Sequence, residues 1–173
     1  NGKNQHQLKA YIADLIPEHD LVIVSDYGHG FISRDIAKQI SKQPIFTTLN
    51  AQINAANIGY HTMNNYQDID CAIINETELR HELRDRETSV EELMKELSVT
   101  LQVKNLVVTS GSSGATLYSA DNDQYYHCPA FATKIVDKIG AGDAMLALLS
   151  CSIKTDFDAD LSLFLGSLAA AQS

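Results

Sequence analysis

Short apolar runs alternate with helix-like segments along this sequence, and this alternation constrains the fold more than any other feature. Strand-like runs occur in DLVIVSD, PIFTTLN and CAIIN, which end in polar or glycine residues. Apolar residues at helical spacing occur around and between them, in HQLKAYIADLI, SRDIAKQISKQ and the segment that follows Ser89. Strands that alternate with helices predict an α/β fold, in which a mostly parallel sheet has helices on both faces.

The second half of the sequence continues this pattern with a change of connection. Two strands joined by a turn are predicted in NLVVTSGSSGATLYS, with Gly111 and Gly114 at the positions that need unusual dihedral angles. A further short strand is predicted in YYHCPAF, and the nearly all-apolar tail after Gly142 predicts one buried helix. No repeat, low-complexity tract or linker divides the chain, so we expect residues 1–173 to form a single domain.

Charge and cysteine content exclude several classes of protein. The formal net charge of −9 argues against a general nucleic-acid or membrane surface, because such a surface needs a basic face. The apolar runs are too short to span a bilayer, and no signal-peptide pattern is present. Cys71, Cys128 and Cys151 are odd in number and far apart, which argues against a disulfide framework or a CxxC metal site. We therefore expect a soluble protein in the reducing cytoplasm.

Five polar loops lie where binding residues are common in such folds. They are SDYGHG, LNAQIN, NETE, TSGSSG and KIGAGD, and all but the fourth lead from a strand-like run toward a helix. In open α/β sheets, ligands bind beyond the carboxyl ends of the strands. We therefore expect these loops to gather at one edge of the sheet.

The stretch DKIGAGDAML places Asp143 where a glycine-rich loop becomes an apolar helix. Glycines before a helix let backbone N–H groups converge, and the helix dipole adds positive potential, so this junction suits a phosphoryl group. A carboxylate would repel that group, but it could take the proton of an attacking hydroxyl. The residues alone leave two interpretations open: Asp143 is a general base, or it caps the helix as aspartates commonly do.

Several ordered motifs resemble those of the ribokinase-like, or PfkB, carbohydrate kinase family, over roughly residues 20 to 150. The signature Asp-Thr-x-Gly-Ala-Gly-Asp is matched by DKIGAGD except at Lys138, where threonine is usual. The family's Asn-x-x-Glu motif is matched by NETE. Its strand and turn beside the nucleotide are matched by VTSG and the GA that follows, and the segment before its signature is matched by HCPA. The loop SDYGHG is similar to one in heptose kinases of that family, which tend to have lysine where His29 stands. Motifs in this order make a chance match improbable.

The resemblance implies a Rossmann-like, ribokinase-type fold and an ATP-dependent carbohydrate kinase. Such an enzyme transfers the γ-phosphoryl group of ATP to a hydroxyl of a small sugar or sugar phosphate, with Mg²⁺ and ATP as cofactor and co-substrate. Asp143 would be the general base, and an anion hole for the transferring group would be formed by Gly140, Ala141 and Gly142. Glu78, with Asn75, would hold Mg²⁺ through water.

The nucleotide would lie along Thr109, Ser110 and Gly111, as the resemblance implies. Asp137 would help order the signature loop, near which the family often holds a monovalent cation. Simpler interpretations of these motifs stay open beside the functional ones. Asn75 and Glu78 also have the pattern of a helix cap with a first-turn acid, and TSGSSG also has that of a hairpin turn.

The chain departs from the family pattern around the phosphate side. A basic residue often follows the second strand in relatives, whereas this chain has Asn50 and further amides there. Lys138 either compensates for that lost charge or is an ordinary solvated lysine. Asp26 and His29, in the SDYGHG loop, are further candidates for the substrate or phosphate side, and His29 could contact a phosphate only when protonated.

Two other functional classes are weighed against a kinase. A catalytically silent relative could keep the fold as a binding or assembly module, which the departures at Asn50 and Lys138 favour and the presence of Asp143 opposes. A dinucleotide-dependent dehydrogenase is excluded because no GxGxxG motif follows the first strand.

The resemblance also implies that this chain is the C-terminal, nucleotide-side portion of a longer kinase domain. The N-terminal portion normally carries the lid strands and much of the sugar pocket, and a homodimer through that lid is an open alternative. We therefore expect the chain by itself to fold but to phosphorylate sugars poorly.

Overall fold

The computed structural model describes residues 2–52, 63–131 and 140–173, in which helices and strands alternate as the sequence predicts. The helices are α1 (Gly2–Leu15), α2 (Arg34–Ser41), α3 (Glu76–Leu83), α4 (Val90–Leu101), α5 (Ala141–Lys154) and α6 (Ala159–Gln172). The strands are β1 (Leu21–Asp26), β2 (Phe46–Ala51), β3 (Cys71–Asn75), β4 (Asn105–Thr109), β5 (Ala115–Ser119) and β6 (Gln124–Cys128). Short 3₁₀ turns lie at Ile16–Glu18, Met63–Asn65 and Gly111–Ser113.

The strands form one sheet in the order β1-β2-β3-β4-β5-β6, which is also their order along the chain. The first four are parallel, and β5 and β6 are antiparallel to their neighbours. Ser25 of β1 pairs with Asn50 of β2, and Asn75 of β3 pairs with Thr109 of β4. The prediction of an α/β fold with a mostly parallel sheet is confirmed, and the carboxyl ends of β1 to β4 open at one edge.

Two hydrophobic clusters lie on opposite faces of the sheet. Successive residues of β3 show this alternation, since Ala72 and Ile74 belong to the larger cluster whereas Cys71 and Ile73 belong to the smaller one. Helices α1 to α4 contribute to the larger cluster, and α5 and α6 contribute to the smaller one. Helices therefore cover both faces, which explains why CAIIN reads as a continuous apolar run.

Side-chain caps fix where three of the helices begin. Ser33 accepts a hydrogen bond from the backbone N–H of Ile36 at α2, and Ser89 caps α4 in the same way. Asn75 ends β3 and also caps α3, in a capping box where Asn75 and Glu78 each accept from the other's backbone N–H. The strand β3 thus passes into α3 without a spacer, so Asn75 stands at the carboxyl edge of the sheet.

The β4–β5 connection is the tight turn that the glycines predict. Gly111 has φ +54° and Gly114 has φ +91°, so both adopt conformations that favour glycine. Gly114 also packs directly against the chain that leaves β6. A Cβ atom at this position would lie 2.1 Å from the carbonyl oxygen of Cys128 and 2.8 Å from the backbone nitrogen of Ala130. No side chain fits there without movement of the backbone.

The prediction of one buried helix after Gly142 is wrong. The tail forms two helices, α5 and α6, separated at residues 155–158, where Asp156 has φ +60°. Leu148, Leu161 and Phe164 are at least 40% exposed, because each helix packs only part of its surface against the sheet and the other helix. Among the described residues, no helix combines the length and the apolar character that a membrane crossing requires.

Candidate active site

Asp143 lies in the first turn of α5, against the carboxyl end of β1. The helical hydrogen bonds of α5 start with the N–H of Ala144, which donates to the carbonyl oxygen of Gly140 at 2.9 Å. The amides of Ala141, Gly142 and Asp143 therefore point out of the end of the helix, where the dipole is positive. This end of α5 has the geometry of an anion site.

The carboxylate of Asp143 binds two hydroxyl groups across the sheet edge. Ser25 Oγ donates to Asp143 Oδ1 at 3.0 Å, and Tyr27 Oη donates to Oδ2 at 2.7 Å. The N-cap position itself is held by Gly140, whose φ of +92° favours glycine. Asp143 is therefore not the N-cap residue of its helix, and its carboxylate faces β1 and the loop that follows it.

Asp26 has different surroundings from Asp143 although it follows Ser25 directly. Its side chain is buried and accepts from Tyr66 Oη at 2.6 Å and from the backbone N–H of Gly28 at 3.0 Å. Burial, and then the hydrogen bond to Asp26, raise the pKa of Tyr66 far above its usual value. Because side chains alternate along a strand, Asp26 points to the opposite face from Ser25 and anchors the start of the SDYGHG loop.

Asn50 and His29 complete the described residues of the predicted phosphate side. Asn50 is buried beside Ser25, and its Nδ2 would lie 3.8 Å from a Cβ atom at Gly142. Its amide therefore stands next to the start of α5. His29 is exposed between Gly28 and Gly30, which both have positive φ. Asp137 and Lys138, predicted for the signature loop, lie outside the described residues.

A second group of predicted residues lies farther along the same edge of the sheet. Asn75 and Thr109 are partners in the β3–β4 register, and Ser110 and Gly111 follow directly. Ser110 Oγ donates to Glu76 Oε2 at 3.0 Å, so the loop after β4 is tied to the first turn of α3. The expected gathering of loops is thus seen in two groups, one at β1 and α5 and one at β3 and β4.

Ser25, Tyr27 and Glu76 interact with predicted site residues but were not themselves predicted. Ser25 could have been predicted from the alternation of side chains along a strand, because it is a polar residue at the end of β1 and faces the side opposite Asp26. The sequence signal for Glu76 is weaker: it lies four residues before Arg80, a spacing at which opposite charges on a helix can pair. The two residues form an ion pair at 3.0 Å. For Tyr27, no periodicity indicated contact with a residue 116 positions away.

The described residues contain no cluster of three His, Cys, Asp or Glu side chains that could hold a metal ion. Glu78 is half-buried, and its Oε2 accepts from the backbone N–H of Asn75 at 3.2 Å. Mg²⁺ commonly keeps several waters and takes one or two carboxylates together with phosphate oxygens. Glu76, the other acid in the first turn of α3, is bound by Arg80 and Ser110. The Glu78 carboxylate at the open sheet edge therefore fits that mode of binding and does not fit a dedicated protein cage.

Comparison with known proteins gives consistent results. The model of the pfkB family carbohydrate kinase matches residues 7–173. The D-beta-D-heptose 7-phosphate kinase of Bordetella bronchiseptica is 28% identical over 146 residues, which are 83% of this chain and 44% of that protein. The bifunctional protein HldE of Trichlorobacter lovleyi is 24% identical over 157 residues, covering 88% of this chain and 31% of that protein. The chain thus spans less than half the length of these relatives.

Solved structures share the fold at low sequence identity. Phosphofructokinase-2 of Escherichia coli, in complex with potassium, superposes with a TM-score of 0.78 at 16% identity, over 96% of this chain and 54% of that one. A ribokinase of Arabidopsis thaliana, complexed with ribose and ATP, superposes with a TM-score of 0.68 at 21% identity, over 91% and 50% of the two chains.

Proposed function

Because the chain belongs to the pfkB family of carbohydrate kinases, we propose that it forms the catalytic, phosphate-side part of an ATP-dependent sugar kinase. The observation that carries the proposal is the Asp143 carboxylate, which lies at the N-terminus of α5 beside amides that point out of the helix. A proton acceptor and an anion site at one point are what phosphoryl transfer to an alcohol requires. The heptose 7-phosphate kinase among the relatives, and the SDYGHG loop, favour a heptose phosphate as the acceptor.

The residues at the start of α5 and at the end of β2 would each have a distinct role in phosphoryl transfer. Asp143 would accept the proton of the sugar hydroxyl as that oxygen attacks the γ-phosphorus of ATP, and ADP would leave as the bond from the γ-phosphorus to the β–γ bridging oxygen breaks. The amides of Gly140, Ala141 and Gly142, with the dipole of α5, stabilise negative charge on the equatorial oxygens of the transferring group. The Asn50 amide, next to Gly142, offers hydrogen-bond donors there without adding a charge.

The second group would hold the nucleotide and its metal. Thr109, Ser110 and Gly111 would lie beside the nucleotide. The hydrogen bond from Ser110 to Glu76 holds this segment against α3. Glu78, oriented by Asn75, would hold Mg²⁺ through water, and the ion would neutralise charge on the ATP phosphates. Asp137 and a monovalent cation near the signature loop remain part of the proposal, and Lys138 could add positive charge to that loop.

The test of this function is acceptor-dependent ADP release, assayed in the longest reading frame that includes this chain. We expect ADP release with heptose 7-phosphate to exceed that with ribose or inosine, because the chain is related to a heptose phosphate kinase. If Mg·ATP binds but none of the three acceptors raises ADP release above the acceptor-free rate, the proposal of a heptose phosphate acceptor is wrong and the silent binding module is favoured.

Glu78→Gln should weaken the magnesium-dependent part of ATP affinity about tenfold, since outer-sphere ligands typically contribute that much or more. Glutamine keeps the capping box, because its carbonyl oxygen also accepts from the backbone N–H of Asn75, so the melting temperature should change little. Calorimetric titration with ATP at several Mg²⁺ concentrations measures the effect.

The matched control for that variant is Glu96→Gln, which removes an exposed carboxylate on α4. It should leave both the ATP affinity and its dependence on Mg²⁺ unchanged. Equal Mg²⁺ dependence in Glu78→Gln and the unaltered protein would remove Glu78 from the metal site.

A further inference from the structure

We propose that Tyr27, together with Ser25, is a positioning residue that fixes the orientation of the Asp143 carboxylate for proton transfer. This inference rests on the proposed function, because it assigns a role toward the base of that same reaction. The two hydroxyls bind different oxygens of the carboxylate, Oδ1 and Oδ2, at 3.0 and 2.7 Å. Two donors on two oxygens fix the plane of the carboxylate, which one donor cannot do.

The loop that carries Tyr27 is anchored without the help of its phenol group. Asp26 accepts from Gly28 within the loop and from the buried Tyr66 below it, and the Asp26 carbonyl oxygen accepts from the N–H of Gln52. These bonds place the backbone of Tyr27 beside the start of α5. The bond from the phenol oxygen to Asp143 is therefore a separate contact that the loop presents, and its removal should not unfold the loop.

The exposure of Tyr27 argues against a packing role. Tyr27 is 43% exposed and belongs to neither of the two hydrophobic clusters, whereas its phenol oxygen binds a carboxylate at 2.7 Å. Hydrogen bonds to charged groups are stronger than neutral ones, so this short bond supplies orientation even at a partly exposed site. The residue is placed to orient the carboxylate and lies outside the two hydrophobic clusters.

The arrangement leaves room for the reaction itself. An ionised carboxylate has about four lone-pair directions, and Ser25 and Tyr27 take one on each oxygen. The remaining directions stay available for the hydroxyl that the base deprotonates. A carboxylate that turns freely would present these directions only part of the time, and small misplacements of reacting groups can cost up to 10²-fold in rate.

The contact can be tested without any enzyme assay. The hydrogen bond to Asp143 raises the pKa of Tyr27 above its ordinary value, and a smaller opposing effect of Ser25 lowers it. The bond is thus fully present below about pH 10 and is lost as the pH rises through the higher pKa of the folded protein. Tyrosinate absorbance of the protein minus that of Tyr27→Phe isolates this one residue among seven tyrosines. The same difference in an Asp143→Ala background, which has no side-chain oxygen to accept from Tyr27, should show a lower pKa, and an unchanged pKa would overturn the proposal.

Kinetics separate positioning from a merely structural role. Tyr27→Phe keeps the ring and should lower kcat roughly 10- to 100-fold with little change in KM for ATP, and Ser25→Ala should also lower kcat. Tyr125→Phe is the matched control: that phenol is also partly exposed, but it donates to the backbone of Glu91, and its loss should leave kcat unchanged. Heptose 7-phosphate is the acceptor used.

The outcomes distinguish this inference from the proposed function. If Asp143→Asn abolishes turnover while Tyr27→Phe and Ser25→Ala keep the kcat of the unaltered protein, the positioning role is wrong and the function stands. If Asp143→Asn itself keeps near-normal turnover, the general-base role fails and the kinetic part of the inference fails with it. The absorbance titration then still reports whether Tyr27 binds Asp143.

Discussion

Asp143→Asn should lower kcat by about 10²- to 10⁴-fold, the range that general-base catalysis contributes, and should change KM for ATP little. The amide has nearly the volume of the carboxylate and keeps one oxygen that can accept from Ser25 or Tyr27. It cannot take the proton of the acceptor hydroxyl. Because the N-cap of α5 is Gly140, the helix loses no side-chain cap, so the melting temperature should fall only modestly.

Two measurements on one variant decide between catalysis and structure, namely kcat with heptose 7-phosphate and thermal stability. The matched control is Asp160→Asn, which alters a first-turn acid of α6 that accepts from the adjacent backbone N–H of Leu161. The control should keep its kcat. A folded Asp143→Asn protein with near-normal turnover would remove Asp143 from the role of base.

Gly114→Ala should destabilise the chain by about 3 to 5 kcal/mol, the combined cost of a backbone conformation that favours glycine and of overpacking. Gly114 has φ +91° and ψ −140°, and its new methyl group would overlap the carbonyl oxygen of Cys128. Relief requires β6 to separate from the turn that joins β4 and β5. We expect a fall in melting temperature of roughly 10 °C, measured by calorimetry or circular dichroism.

Gly111→Ala in the same turn separates the two causes of that loss. Gly111 also has positive φ, but a Cβ atom there would meet nothing within 4 Å. Its replacement should cost only about 1 kcal/mol, the ordinary penalty of a left-handed residue. Equal losses in the two variants would mean that backbone conformation alone matters and that the contact with Cys128 is relieved at no cost.

The sheet was predictable because its signals are local. Runs such as CAIIN are apolar at every position since β3 is covered on both faces, and capping residues such as Ser33 mark the starts of helices. The tail was mispredicted for a related reason. The sequence has apolar residues on every side of the predicted helix. It could not show that the tail forms two helices, each only partly covered, so that Phe164 and Leu161 are partly exposed.

The candidate site was predictable only as far as family motifs reach. Asp143 and the residues at the ends of β3 and β4 were predicted from motifs that resemble those of the family, and the structure places them in two groups along the expected edge. The partners of Asp143 depend on how β1 lies against α5, which is a tertiary relation. Ser25 and Asp26 are adjacent in sequence, but only the structure shows that the first faces Asp143 and the second faces Tyr66.

The pairing of Ser25 with Asp143 joins residues 118 positions apart. Ser25 belongs to β1 and Asp143 belongs to α5, so the base meets its hydroxyl partners only when these two elements have packed together. Closing so long a stretch of chain costs conformational entropy before the contact repays it, so contacts of this kind form late in folding. On refolding, turnover should therefore recover no earlier than the circular dichroism signal of the helices and strands.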